Sequence, residues 1–172
     1  GRPEADFYPT PNTATLALLR HITILDRAVW EPACGNGAIS RILETKGNHV
    51  ISSDIHDYGY GKAGVNFLET YKIEADTIIT NPPYGIRLGE LREVKELYGE
   101  FGDFLKTKCK GTNAFIYTGD KELRKSLGLR TAMRVPLVNG KLEGILVKIE
   151  SYEGSRKAKW RESEENQGEQ AE

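Results

Sequence analysis

Four consecutive residues, Asn81-Pro82-Pro83-Tyr84, are the part of this chain best equipped for chemistry. Proline has no N–H and pushes the residue before it into an extended conformation, so the segment projects acceptors rather than donors. The Asn81 side-chain oxygen and the Pro82 carbonyl can each take one hydrogen from a planar exocyclic amine such as those of adenine or guanine. Such an amine is a poor nucleophile because its lone pair is delocalised into the ring. Holding both hydrogens out of the base plane favours the pyramidal form and frees the lone pair toward an electrophile. Tyr84 offers a face on which a base can stack, worth about 1–3 kcal/mol per base. A plain Asn-Pro turn beside a half-buried tyrosine would use the same residues with no ligand.

A second constellation lies upstream, in "WEPACGNGA". Glu31 ends a buried strand, and Gly35 and Gly37 fall in the turn that opens the next helix. In an open α/β sheet, ligands sit outside the carboxyl ends of the strands, where glycines let backbone N–H groups come close. Asp54 ends the following strand nineteen residues after Gly35, where a carboxylate can accept hydrogen bonds from both hydroxyls of a ribose. A pyrophosphate fingerprint would want GxGxxG, but the pattern is GNGAIS, with Ser40 in place of the third glycine. That argues against a dinucleotide. A tight turn followed by a solvated strand end is the bland alternative. His21, His49 and His56 are scattered and read as structural or exposed.

The elements that must position these groups alternate. Thr10 as N-cap and Pro11 at the first helical position begin a short helix with Leu16 and Leu19 at helical spacing. "RAVWE" (27–31), "GNGAISRILETKG" and "HVISSD" form a strand-helix-strand unit; "VNFLE" is a weak strand candidate and "DTIITN" a strong one. Leu91, Val94, Leu97, Tyr98, Phe101, Phe104 and Leu105 keep three-and-four spacing, which predicts a long amphipathic helix ending near Gly111. "NAFIYTGD" is another strand, "KELRKSLG" a short helix, and two final strands join at Asn139-Gly140, a strong hairpin signal. This order implies a mostly parallel sheet covered on both faces, closed by an antiparallel strand near one edge.

The 172 residues, 38% hydrophobic and 28% charged, suffice for one core and one domain, expected over 1–152. Residues 153–172 place a basic cluster before an acidic run with almost no apolar content, the composition of a disordered tail. A net charge of -1 excludes the global basic field of a stand-alone nucleic-acid binder but not a local patch. Cys34 and Cys109 lack metal-ligand spacing and read as free thiols of a cytoplasmic protein. No apolar run reaches the length of a membrane span. The sole methionine is Met133 and the chain opens "GRPEADF", as a processed or excised chain would.

With these residues in place, the sequence resembles the S-adenosylmethionine-dependent amino-methyltransferases that act on nucleobases. "EPACGNG", with Glu31, Ala33, Gly35 and Gly37, looks like their cofactor-binding motif, Asp54 with Ile55 like the ribose acid and its neighbour, and Asn66-Phe67 like the adenine-contacting position, where aspartate is more usual than asparagine. "FYPTP", with Tyr8, Thr10 and Pro11, resembles the motif that touches the methionine part of the cofactor, and "NPPY" their catalytic motif, in which Asn81 and Pro82 orient the amine and Tyr84 stacks the base. The motif order matches a subgroup of DNA methyltransferases, whereas residues 81–150 look like the catalytic domain of RNA guanine-N2 methyltransferases that usually carry a THUMP domain. The two signatures meet near Asn81, as in a natural mosaic or an engineered join.

The resemblance implies an α/β fold, the seven-stranded class I methyltransferase (Rossmann-like) sandwich with a C-terminal antiparallel hairpin, and S-adenosylmethionine as cofactor without a metal. It implies methyl transfer to guanine N2 in RNA, with DNA adenine N6 or a cofactor-binding module without activity as alternatives. A small molecule or a protein glutamine is a further substrate class, since NPPY also serves amide nitrogens. The expected partner is nucleic acid, RNA before DNA, reached through a separate recognition domain.

Overall fold

The computed structural model describes residue 10 and residues 12–21, 28–70, 74–82, 91–119, 121–139 and 142–151. Its elements are α1 (Asn12–Leu19), β1 (Val29–Glu31), α2 (Ala38–Thr45), β2 (Val50–Ser52), a single 3₁₀ turn (Phe67–Glu69), β3 (Thr77–Thr80), α3 (Leu91–Lys108), β4 (Asn113–Thr118), α4 (Lys121–Ser126), β5 (Met133–Asn139) and β6 (Leu142–Glu150). The sheet order is β2-β1-β3-β4-β6-β5. β1 to β4 run parallel, and β6 inserts antiparallel between β4 and β5. The hairpin forms, with Asn139 paired to Leu142, so that strand pairing runs one residue further than a turn centred on Asn139-Gly140 would allow. Among the described residues no helix is long and apolar enough to cross a membrane.

Alternating side chains of the strands feed two cores, one on each face. Ile78, Ala114, Ile116, Val147 and Ile149 face α3 and α4, where they meet Tyr98, Phe101, Phe104, Leu105 and Leu123. Ile79, Phe115, Tyr117 and Leu146 face the other way, onto Leu18, Ile39 and Leu43 of α1 and α2. The predicted stripe of α3 is buried from Tyr98 onward, while its first member, Leu91, remains 38% exposed. In α1 the phase differs from expectation: Leu18 and Thr15 are buried and Leu16 is 44% exposed. Gly102 is where α3 meets the end of α4, because a Cβ there would strike the Leu127 carbonyl.

Six strands form among the described residues where seven were expected. "VNFLE" is the difference. The Asn66 side chain accepts a hydrogen bond from the Leu68 N–H at 3.1 Å and turns the chain into the 3₁₀ segment instead of a ladder. Beyond β2 the edge holds a single parallel bridge, Ser53 to Lys62, and Gly59, Gly61 and Gly64 around it all have positive φ.

The chain leaves β1 outward to β2 and then returns to the other side of β1 as β3. That reversal makes the carboxyl ends of β1 and β3 the switch point of the sheet, where open α/β folds take their ligands. Glu31 ends β1 and Asn81 directly follows β3.

Candidate functional site

The glycine turn and the acid after β2 are bonded directly to each other. Asp54 is 7% exposed; its Oδ2 accepts from the Gly35 N–H at 2.9 Å and its Oδ1 from the His56 N–H at 2.9 Å. Each carboxylate oxygen keeps a second lone pair, so the two inward bonds fix the group while leaving it able to accept from hydroxyls. Ile55, next in sequence, is 57% exposed, an apolar face beside a fixed carboxylate.

Gly37 serves a purpose the sequence did not suggest. Its φ is +83° and the Tyr60 ring lies against it, 2.6 Å from where a Cβ would stand. Tyr60 is held there by its hydroxyl, which donates to Glu44 at 2.9 Å, and by the Arg41 guanidinium 4.4 Å from the ring centre. The bare face expected to admit a ligand at Gly37 is therefore covered by the protein's own ring. Gly35, with φ of +53°, keeps the role of bringing an N–H to Asp54. Ala33 is half-buried within the same turn.

Glu31 is 2% exposed and accepts a hydrogen bond from the Ser40 hydroxyl, which in turn accepts one from Ser52 at 2.8 Å. Burial pushes its carboxyl up to about 8, against a partial counterpull from Ser40 and with a smaller push from the Asp54 charge. At neutral pH Glu31 is thus mostly a neutral acid, not the carboxylate that the end of a cofactor-seating strand suggests. Ser40, notable in the sequence only as the missing third glycine, and Ser52, which carried no signal, are the partners that make this burial tolerable. Cys34, in the turn, is pushed up to about 12 by burial and by the nearby Glu31 and Asp54, so it offers no thiolate. Cys109 is likewise a buried free thiol.

Asn66 and Phe67 each hold contacts within the chain. The Asn66 oxygen is taken by Leu68, leaving its NH₂ to offer. The Phe67 ring is set edge-on to Phe101 and Phe104, with centroids 5.1 and 5.8 Å away, and belongs to the α3 core.

Asn81 is half-buried and Pro82 buried. The Asn81 Nδ2 donates to Thr10 Oγ1 at 2.9 Å, across a sequence separation of 71 residues. Its Oδ1 is closed to solvent and among the described residues has no hydrogen-bond partner. Two groups of predicted site residues are thus joined, Gly35 with Asp54 and Thr10 with Asn81, at adjacent strand ends. Tyr8, Pro11 and Tyr84 lie outside the described residues. Among those described, no three His, Cys, Asp or Glu side chains converge as metal ligands do.

The doubly wound sheet with one antiparallel strand inserted near its edge is the class I methyltransferase fold. A possible methylase from Clostridium difficile 630 shares it with a TM-score of 0.68 at 20% identity, over 87% of this chain and 55% of that one. A predicted N6-adenine-specific DNA methylase from Listeria monocytogenes shares it with a TM-score of 0.64 at 18% identity, over 88% and 53%. Within that class the chain belongs to the RMKL-like methyltransferase domain family, which matches residues 54–148, more than half of its length. The match begins at Asp54, ahead of the junction that the sequence motifs suggested near Asn81. A ribosomal RNA large subunit methyltransferase K/L from Syntrophotalea carbinolica is 42% identical over 76 residues, which is 44% of this chain and 11% of that protein. The chain therefore spans only a small part of such relatives.

Proposed function

We propose that this chain transfers the methyl group of S-adenosylmethionine to the exocyclic amine of a nucleobase, guanine N2 in RNA. The observation that carries the reading is the Asn81 Oδ1, an enclosed acceptor beside the carboxyl end of β3 that has no partner among the described residues. Leaving such an acceptor unpaired costs about 1–3 kcal/mol, a cost offset when a donor arrives. An amine brings that donor. The RNA methyltransferase named above supports RNA over DNA, and the buried free thiols Cys34 and Cys109 suit a cytoplasmic protein.

The residues present fit the cofactor. Asp54 would take the ribose hydroxyls on its free lone pairs, and the exposed Ile55 would cover one face of the adenine. Ala33 and Gly35 would line the turn, and Asn66 would meet the adenine through its NH₂, with Phe67 as backing. Bound there, the cofactor supplies a methyl group on a sulfonium, an electrophile that needs no metal. The chain's own part is to orient the amine: Asn81 Oδ1 accepts one hydrogen, the Pro82 carbonyl accepts the other, and Tyr84 stacks the base. As the nitrogen gained the methyl carbon, the carbon–sulfur bond would break to leave a neutral thioether, and the nitrogen would shed one proton to solvent. A base in a helix must be flipped out to reach Asn81, or be single-stranded already.

The test is incubation with methyl-labelled S-adenosylmethionine and separate RNA, DNA and protein pools, followed by nucleoside and amino-acid analysis. N2-methylguanosine in RNA is expected. N6-methyladenine in DNA would replace the substrate, a methylated glutamine would move the reaction to protein, and cofactor binding without any transfer would leave a binding module.

A further inference from the structure

An asparagine amide presents an acceptor on one side and donors on the other, and a half-turn of the amide exchanges them. Only one orientation suits an incoming amine, which brings hydrogens and needs an oxygen. We propose that Thr10 is the positioning residue that anchors this amide: its Oγ1, 2.9 Å from Asn81 Nδ2, accepts from the NH₂ side and leaves Oδ1 for the target amine. The proposal rests on the function assigned above and gives Thr10 a part on the substrate side, where sequence resemblance had implied contact with the cofactor.

Two features make this anchor matter. The Asn81 side chain is held among the described residues by Thr10 alone, since its Oδ1 has no partner there, so this one bond sets where the amide stands. Thr10 is also β-branched, so its hydroxyl is held in few rotamers and makes a firm stop. It directly precedes the segment leading into α1, whose Leu18 is sunk in the core with Ile39, Leu43 and Ile79, so the hydroxyl is tied to a fixed element.

The experiment compares wild type, T10V and T10S in methyl transfer to unmodified large-subunit ribosomal RNA transcripts, with the Asn81 side-chain NH₂ resonances followed by ¹⁵N NMR. T10V is expected to lower kcat about 3- to 10-fold, the worth of one ordinary hydrogen bond, with KM for S-adenosylmethionine unchanged. T10S should keep most of the rate. T10V should add nothing in an Asn81→Ala background, since the two changes break one interaction. The Asn81 NH₂ pair, assigned by its loss in N81D, should shift in T10V and stay in place in T10S. A raised KM for the cofactor at unchanged kcat, or NH₂ resonances indifferent to T10V, would overturn the proposal. A wild type that methylates none of the pools would overturn the functional reading instead, while the resonances would still decide whether Thr10 orients Asn81.

Discussion

Replacing Glu31 by glutamine should change how stability depends on pH. Burial holds the folded-state carboxyl at about 8, against its usual 4.5. Across that window the folded protein binds more protons than the unfolded chain, so the contribution of this group to stability is greatest below the unfolded value and falls as pH rises toward 8. The slope approaches about 1.4 kcal/mol per pH unit, which gives a loss of about 3 kcal/mol between about pH 5 and about pH 8. Glutamine fills the same volume, can still accept from Ser40, and does not titrate. Urea denaturation of both proteins at several pH values gives the difference directly, with the other titrating groups common to both. E31Q should gain on wild type by about 3 kcal/mol from the acid to the alkaline end of that range. Parallel curves would refute the argument, because they would mean that Glu31 ionises in the fold as freely as in the unfolded chain.

Asn81→Ala should lower the methyl-transfer rate about 10²–10³-fold with little effect on cofactor affinity, and Asn81→Asp should retain more activity than alanine; single-turnover kinetics and calorimetry separate the two effects. Asp54→Ala should weaken cofactor binding and also destabilise the fold by about 1–3 kcal/mol, since the Gly35 and His56 N–H groups lose their acceptor; calorimetry and urea denaturation read one each. Gly102→Ala should lower stability by about 1–3 kcal/mol by forcing α3 off the Leu127 carbonyl, and an unchanged urea midpoint would contradict that approach. Removing residues 153–172 should leave the thermal midpoint almost unchanged, as so polar a segment buries too little to offset its ordering entropy.

The parallel sheet and its closing hairpin were legible because they rest on patterns within single segments. "DTIITN" and "NAFIYTGD" each place apolar side chains on both faces, and only a doubly covered sheet needs that. The interval from Gly35 to Asp54 was readable because turn and acid are fixed by the lengths of α2 and β2, and the structure joins them by a hydrogen bond. What sequence could not show depends on partners brought from elsewhere. A strand and a 3₁₀ turn compete for "VNFLE", and the winner is set by one local bond from Asn66 to Leu68. The phase of α1 turns on where α2 and β5 lie, which exposes Leu16 and sinks Leu18. The protonation of Glu31 depends on Ser40 and Ser52, and the need for glycine at 37 on Tyr60, all from separate segments.

The seating of α1 has a consequence for how the molecule is made. The helix lies against α2 and β5, with Leu18 in one cluster with Leu137 and Leu146 of the final hairpin. The hairpin also supplies β6, which pairs with β4 from Asn113 to Thr118. α1 leaves the ribosome before the hairpin does, so the part of its apolar side that meets Leu137 and Leu146 waits for the intervening residues to be made. Thr10, carried just ahead of that helix, meets Asn81 across 71 residues, a contact that needs the helix seated. A nascent chain that folds from β1 to β4 therefore joins the glycine turn to its acid before Thr10 is held against Asn81. Long-range closure of this kind slows folding.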